Sequence, residues 1–285
     1  MKTPWTDSVD RLAPLPEYPR PQMVRGNWLS LNGPWEYAIS AGGSFPAEYD
    51  GTITVPFSPE TELSGVGRTL HKGEFLWYRR EISLPDRFAE RHVLLHFGAV
   101  DQTADVWVNG LKVMEHVGGY LPFEGDVTRA VRDGRMEIVV RVTDESDHGY
   151  HTRGKQKSAR GGIWYTPQSG IWQSVWIEAV PENYVKNLHI SPDFDSGCVE
   201  ISAEAVGNEA AYAHFGGGEY RLPARIPVPD FEPWSPENPK LYDFTVSCGE
   251  DSVESYFAMR KFSVEKDRSG KPRLFLNGRP YFHNG

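Results

Sequence analysis

Apolar and polar residues alternate along most of this sequence, and this alternation limits the possible folds more than any other feature. Successive side chains of a β-strand point to opposite faces, so a period of two is typical of a strand buried on one face. Amphipathic helical patterns are almost absent. The strand pattern occurs in "TITVPF", "LWYRREISL", "HVLLHFGAV", "ADVWVNG", "MEIVVRV", "QSVWIEAV", "NLHISPDF", "CVEISAEAV", "YDFTVSC" and "ESYFAMRKFSV". The sequence therefore predicts an all-β protein.

Turn-forming pairs lie between these segments. The pairs are Asn32-Gly33, Asn109-Gly110, Asp133-Gly134 and Asn277-Gly278. Asn-Gly and Asp-Gly adopt positive φ at low cost, which suits tight hairpins. Short strands with such connections favour a β-sandwich or a jelly roll.

The segment "EAVPENYVKN" is the best domain boundary. A strand pattern ends at Val180, Pro181 interrupts it, and a new pattern begins near Val185. We therefore predict a first domain over residues 1–181. Residues 182–265 contain fewer and shorter strands and suit one small immunoglobulin-like sandwich.

Charge and cysteine content limit the partners and the compartment. The formal net charge is −9, which argues against nucleic acid or an anionic membrane, since both require excess Lys and Arg. No apolar run is long enough to cross a membrane, and the N-terminus lacks a signal-peptide core, so we expect a cytoplasmic protein. Trp234 lies close to Cys248 rather than to Cys198. This is not the immunoglobulin spacing, and two free thiols are expected.

Eight segments, in this order, resemble the front half of glycoside hydrolase family 2, the β-galactosidase/β-glucuronidase family. They are "LNGPWEYAIS", "ITVPFSPETELSGVG", "LWYRREISLP", "HFGAVDQTADVWVNG", "HVGGYLPFEGDVT", "GGIWYTPQSGIWQSVWIEAV", "WSPENPKLYDFTVSCG" and "YFAMRKFSVE". The resemblance implies a galactose-binding-like jelly-roll domain, then an immunoglobulin-like sandwich, then a TIM barrel. The last twelve residues, "LFLNGRPYFHNG", resemble the segment that enters the barrel. Residues 266–285 are thus expected to begin a barrel that is otherwise missing.

The resemblance also implies a function. Members hydrolyse β-glycosides with retention, using two glutamates on barrel strands, so no catalytic residue is assigned in this chain. The parent protein would be a glycosidase, while this chain alone is expected to be inactive and to bind or shape the carbohydrate site. The alternative is a free-standing carbohydrate-binding module without a catalytic partner.

The irregular segment of residues 144–160 is the first candidate binding loop. Loops of this length in a compact domain tend to be functional or disordered. Arg153 and Lys155 offer donors to sugar hydroxyls, and Gln156 can both donate and accept. Trp164, just downstream, could stack on a sugar ring. The alternative is a solvated basic loop, but family members use the matching loop to reach the active site of the barrel.

The second candidate loop covers residues 56–67, where Glu60 could accept a hydrogen bond from a sugar hydroxyl. The alternative for this loop is a capped turn. Because both loops are long and polar, we expect Glu60, Lys155 and Gln156 to lie at the same end of the jelly roll. The expected partners are a β-glycoside carbohydrate and the missing barrel.

Other polar clusters point to no chemistry. The acidic runs Asp144–Asp147 and Glu60–Glu62 are expected to be solvated turns. His148 and His151 lie in a Gly-containing loop without further ligands in range, so no metal site is predicted. Since "GGG" at residues 216–218 lacks the Lys and Ser/Thr of a phosphate loop, no cofactor is expected either.

Overall fold

Two compact units make up the computed structural model, which describes residues 3–282. Met1–Pro19 and Asn27–Val180 form the first unit, and Arg20–Gly26 and Pro181–Gly285 form the second. The division into units differs from a single cut after residue 181. The second unit begins at Pro181, and it also includes the early segment Arg20–Gly26. Helical structure in the described chain is limited to three 3-10 turns: Thr6–Ser8, Asp86–Phe88 and Thr128–Ala130.

The first unit is the jelly-roll β-sandwich that the alternation predicts. Its strands are β1 Trp28–Ser30, β2 Gly33–Ser40, β3 Gly51–Val55, β4 Phe75–Ser83, β5 His92–Phe97, β6 Val100–Asp101, β7 Thr103–Val108, β8 Leu111–Val117, β9 Phe123–Asp126, β10 Arg135–Thr143, β11 Gly170–Ile171 and β12 Val175–Val180. They form a six-stranded sheet in the order β3-β2-β4-β10-β7-β8, a four-stranded sheet β1-β12-β5-β9, and the small pair β11-β6.

The core of the first unit contains one face of each large sheet. In β7, Val106 and Val108 are fully buried in this core, whereas Trp107 points to the opposite face and packs in a smaller cluster with Trp77. This is the outcome that a period of two predicts for a strand with different surroundings on its two faces.

The second unit is a smaller immunoglobulin-like β-sandwich. Its strands are β13 Tyr184–Asp193, β14 Cys198–Val206, β15 Ala211–Phe215, β16 Gly218–Arg221, β17 Ala224–Pro227, β18 Tyr242–Cys248, β19 Asp251–Phe257, β20 Phe262–Lys266, β21 Pro272–Leu276 and β22 Arg279–Pro280. The sheets are β13-β14-β17, β16-β15-β18-β19 and β20-β21-β22. Cys198 and Cys248 are both free thiols, as predicted.

The segment Arg20–Gly26 is fastened to the second unit by a backbone bridge and a buried ion pair. Val24 pairs with Glu254. The Arg25 guanidinium donates from Nε to Asp251 Oδ1 (3.0 Å) and from Nη2 to Asp251 Oδ2 (2.9 Å). Asp251 Oδ2 also accepts the backbone N–H of Val185 at 2.8 Å. Both charged side chains are at most 5% exposed, so this ion pair lies in the interior of the unit.

The hairpin of β20 and β21 presents an apolar face to solvent. Val264 and Leu274 are direct cross-strand partners, and their side chains are 70% and 49% exposed. Phe262, two residues before Val264 and therefore on the same face, is also exposed. The end of the chain that was expected to continue this hairpin, His283–Gly285, lies outside the described residues.

Candidate functional site

Glu60 connects two loops of the jelly roll. Its Oε1 accepts the N–H of Leu70 (3.3 Å), and its Oε2 accepts the N–H of Ser169 (3.2 Å). Burial raises the pKa of this carboxyl group to about 7, and the hydrogen bonds only partly oppose that rise. The loop after β3 and the long loop before β11 are therefore joined through one partly buried acid.

Two further acids lie beside Glu60. Asp144 directly follows β10 and is buried; it accepts the Ser169 hydroxyl at 2.8 Å and the N–H of Ser146 at 2.7 Å. Asp101, on β6, is only 4% exposed. Burial, reinforced by the negative charges of Asp144 and Glu60, raises the pKa of Asp101 to about 7. We call Glu60, Asp101 and Asp144 the carboxyl cluster.

The carboxyl cluster is held by neutral donors. Gln156 bonds the Asp101 carboxylate and accepts the N–H of Gln168 on its Oε1 at 2.6 Å. Burial also raises the pKa of Asp144, and the hydrogen bonds from Ser146 and Ser169, with a smaller contribution from His151, oppose that rise only in part. Close packing leaves no room for a side chain at Gly119, where an added Cβ would collide with the Asp101 carboxylate. Buried acids surrounded by uncharged donors favour the protonated form.

The structure brings Glu60 and Gln156 together, since they bind the consecutive backbone amides of Ser169 and Gln168. Both side chains are thus engaged inside the protein rather than pointing freely outward. The expectation that the acidic runs are solvated turns is wrong for Glu60 and Asp144. Their loops fold back over the sandwich, so the Asp144 carboxyl group is buried and that of Glu60 is partly buried.

The remaining candidate residues lie on the outer side of the same loop. Lys155 is exposed, and Arg153 and Trp164 are partly exposed. The backbone C=O of Lys155 accepts the N–H of Tyr165 at 2.8 Å, which ties the two ends of the loop together. Trp172 is half-buried and donates its Nε1–H to the C=O of Gly119 at 2.8 Å, outside strand β12.

A polar cleft of about 610 Å³ opens between the two loops. Hydroxyl, amide and charged groups dominate its walls, a composition that suits the many hydroxyls of a sugar. The lining residues are Ser58, Glu60, Thr61, Glu62, Thr69, Ser158, Arg160, Thr166, Pro167 and Gln168.

Sequence reasoning missed Asp101. It follows the apolar strand β5 and the residues Gly98–Val100. The available signal was an acid placed directly after the apolar residues "FGAV", because an acid in such a position has to be either exposed or specifically accommodated.

Within residues 3–282, no three His, Cys, Asp or Glu side chains are arranged to hold a metal ion. The helical turns of this part of the chain are also far too short and polar to cross a membrane.

The described residues thus form a jelly roll with a polar cleft at its loops, followed by an immunoglobulin-like sandwich. Residues 17–181 match Glycosyl hydrolases family 2, sugar binding domain, and residues 203–260 match Glycosyl hydrolases family 2. The chain belongs to this family.

Curated relatives are glycosidases of greater length. The chain is 26% identical over 282 residues to a β-galactosidase of Arthrobacter sp. (strain B7), covering 91% of this chain and 25% of that protein. It is 38% identical over 275 residues to the β-glucuronidase of Pongo abelii, covering 82% and 42%. The chain therefore spans between a quarter and about two fifths of these relatives.

A solved structure shares the fold. The β-glucuronidase from Ruminococcus gnavus in complex with D-glucuronic acid superposes with a TM-score of 0.73 at 20% identity, over 93% of this chain and 50% of that one.

Proposed function

We propose that this chain is the sugar-binding and scaffolding front part of an enzyme that hydrolyses β-glycosides with retention. The polar cleft between the two jelly-roll loops carries this proposal, because it offers hydroxyl, amide and charged groups at the loops of a domain from the family's sugar-binding class. Arg153, Lys155 and Trp164, on the outer side of the long loop before β11, are proposed to contact a sugar chain that extends beyond the cleft.

Glu60 and Gln156 have a different proposed role. Their side chains bond the amides of Ser169 and Gln168, so they hold the rim in place and leave only their remaining lone pairs and N–H groups for a ligand. Positioning a loop through its backbone amides is how a rigid scaffold keeps binding groups in productive geometry.

The catalytic carboxylates are proposed to lie in a further domain, for which residues 266–285 provide the entry. The exposed apolar face of β20 and β21 supports this proposal, since such a face gains stability when a neighbouring domain covers it. The length of the curated relatives also supports it. A free-standing binding module, the alternative, would leave that face in water.

The test combines turnover and binding. The purified chain should not hydrolyse nitrophenyl β-galactoside or β-glucuronide above the blank, while calorimetry should detect oligosaccharide binding with a Kd of about 1 mM or weaker, because one wall of the site is absent. In the complete enzyme, Lys155→Ala should raise KM without lowering the midpoint of thermal unfolding. Turnover by this chain alone, or unchanged kinetics in that variant, would contradict the proposal.

A further inference from the structure

Four cationic side chains occupy one short stretch of the long loop before β11. Arg153, Lys155, Lys157 and Arg160 lie within the segment 153–160, which we call the basic loop, although the protein as a whole has a formal charge of −9. None of the four forms an ion pair within residues 3–282; Arg160 donates only to the Thr166 hydroxyl, at 3.3 Å. The basic loop is therefore a local positive patch on an acidic protein.

The acids nearest in sequence do not neutralise this patch. Asp147 accepts the N–H and the hydroxyl of Ser158, at 3.1 and 2.5 Å. Glu145 pairs with Lys72 at 3.5 Å. Gln156 turns inward to the carboxyl cluster, while its neighbour Lys155 is exposed. The positive groups are consequently left for solvent or for a ligand.

Aromatic rings accompany the cations. Tyr165 is bonded through its backbone to both Lys155 (2.8 Å) and Lys157 (3.1 Å), and its side chain is 66% exposed. The Lys157 ammonium lies 5.5 Å from the centre of the Trp164 ring. Aromatic rings and cations without an acidic partner in the described residues thus lie close together on this loop.

We infer that the basic loop, with Trp164 and Tyr165, binds an acidic glycan, a sugar chain that bears carboxylate or sulfate groups; the inference rests on the proposed function. The rings would stack on the apolar faces of the sugars. The guanidinium of Arg153 can bind a planar carboxylate with two parallel hydrogen bonds, and the ammonium of Lys155 acts as a point charge. An uncharged glycan would use the rings alone.

The inference can be tested by calorimetry on the full chain with three tetrasaccharide probes. Tetragalacturonate carries carboxylates, a carrageenan tetrasaccharide carries sulfates, and cellotetraose is neutral. An acidic probe should bind more tightly than cellotetraose at about 50 mM salt, and this advantage should shrink at about 300 mM salt because of screening. A preference for tetragalacturonate assigns the patch to carboxylates, and a preference for the carrageenan probe assigns it to sulfates.

Two paired variants complete the test. Arg153→Gln with Lys155→Gln should weaken binding of the acidic probe about fivefold, as expected for the loss of two exposed charge contacts, and should leave cellotetraose binding unchanged. Lys266→Gln with Arg268→Gln removes the same charge from an exposed stretch of the second unit. This variant should change neither the binding of the acidic probe nor the binding of cellotetraose.

Three outcomes would overturn the inference. Equal binding of acidic and neutral probes, unaffected by the basic-loop variant, refutes it and leaves the proposed function standing. Absence of binding to all three glycans refutes the inference, while the kinetics of Lys155→Ala in the complete enzyme still decide the proposed function. Tighter binding of a single-stranded oligonucleotide than of any glycan, lost in the basic-loop variant, replaces the glycan by nucleic acid.

Discussion

The two units bury acidic side chains in opposite ways. In the second unit, Asp251 lies against the Arg25 guanidinium, with both charges shielded from water. In the first unit, Asp101 and Asp144 are comparably buried, yet they are held by an amide, a hydroxyl and a backbone N–H. One interior keeps a charge by providing the opposite charge, whereas the other provides only neutral donors.

The difference shows that burial alone does not determine what an interior acid does. An acid with a bound guanidinium has the opposite charge beside it, and its removal leaves an unpaired cation. An acid with neutral donors takes up a proton near neutral pH, as the pKa of about 7 for Asp101 indicates. The first arrangement is an ion pair that joins two segments of the chain, and the second is expected to respond to pH through Asp101.

Breaking the Arg25–Asp251 ion pair is expected to have the largest effect on the free energy of unfolding. Asp251→Ala should destabilise the second unit by about 3–5 kcal/mol, because it leaves the Arg25 charge buried without its partner. Trp234 is the only tryptophan between residues 181 and 285. Its fluorine resonance in protein labelled with 5-fluorotryptophan therefore reports urea unfolding of this unit separately.

Asp193→Ala is the matched control. Asp193 also pairs with an arginine, Arg225, at 2.7 Å, but both side chains are well exposed. Its loss should cost less than about 1 kcal/mol. If Asp251→Ala and Asp193→Ala lowered the free energy of unfolding by the same small amount, the buried ion pair would contribute no more to stability than an exposed one.

A smaller, pH-dependent effect is expected in the carboxyl cluster. The pKa of Asp101 is raised in the folded state, so its favourable contribution is complete below the unfolded value near 4 and is lost as the pH rises through about 7. Asp101→Asn cannot ionise. Its stability relative to the parent should therefore rise by roughly 3 kcal/mol between about pH 5 and about pH 8.

This effect can be followed by tryptophan fluorescence during urea unfolding, because eight of the nine tryptophans lie in residues 1–180. A difference between parent and variant that stays constant with pH would mean that Asp101 is ionised throughout, like an acid with a cationic partner.

The smallest effect separates two adjacent residues of the long loop before β11. Gln156→Ala removes the partner of the Gln168 N–H and of Asp101, and should cost about 1–2 kcal/mol. Lys155→Ala removes an exposed side chain and should change stability by less than about 0.5 kcal/mol. Thermal unfolding measures the stability of both variants, and hydrogen exchange at the Gln168 amide reports the loss of its partner. Faster exchange in Lys155→Ala would contradict the conclusion that Gln156 points inward and Lys155 outward.

The sequence predicted the strands better than the interior acids, for a physical reason. The orientations of Val106 and Trp107 follow from local alternation, which a single strand displays by itself. The burial of Asp144 depends on Ser169, 25 residues away, and no local pattern reports that contact. The length of the loop that carries Gln156 made it a candidate for binding, but the contact of Gln156 with Asp101 could not be predicted from the sequence.

The same limit applies to Arg25. A short Pro-flanked segment near the N-terminus gives no local sign that it completes a sandwich formed mainly by residues after 181.

This early segment affects how the protein can be made and divided. Arg25 and Asp251 are 226 residues apart in sequence, so a ribosome adding about 5–20 residues per second needs on the order of ten seconds or more between them. During that time Arg20–Gly26 has no partner strand. A gene fragment that starts at Pro181 would encode the second sandwich without this segment, leaving the Asp251 carboxylate buried without its guanidinium. Expression of the second sandwich alone would therefore require Arg20–Gly26 to be grafted onto it.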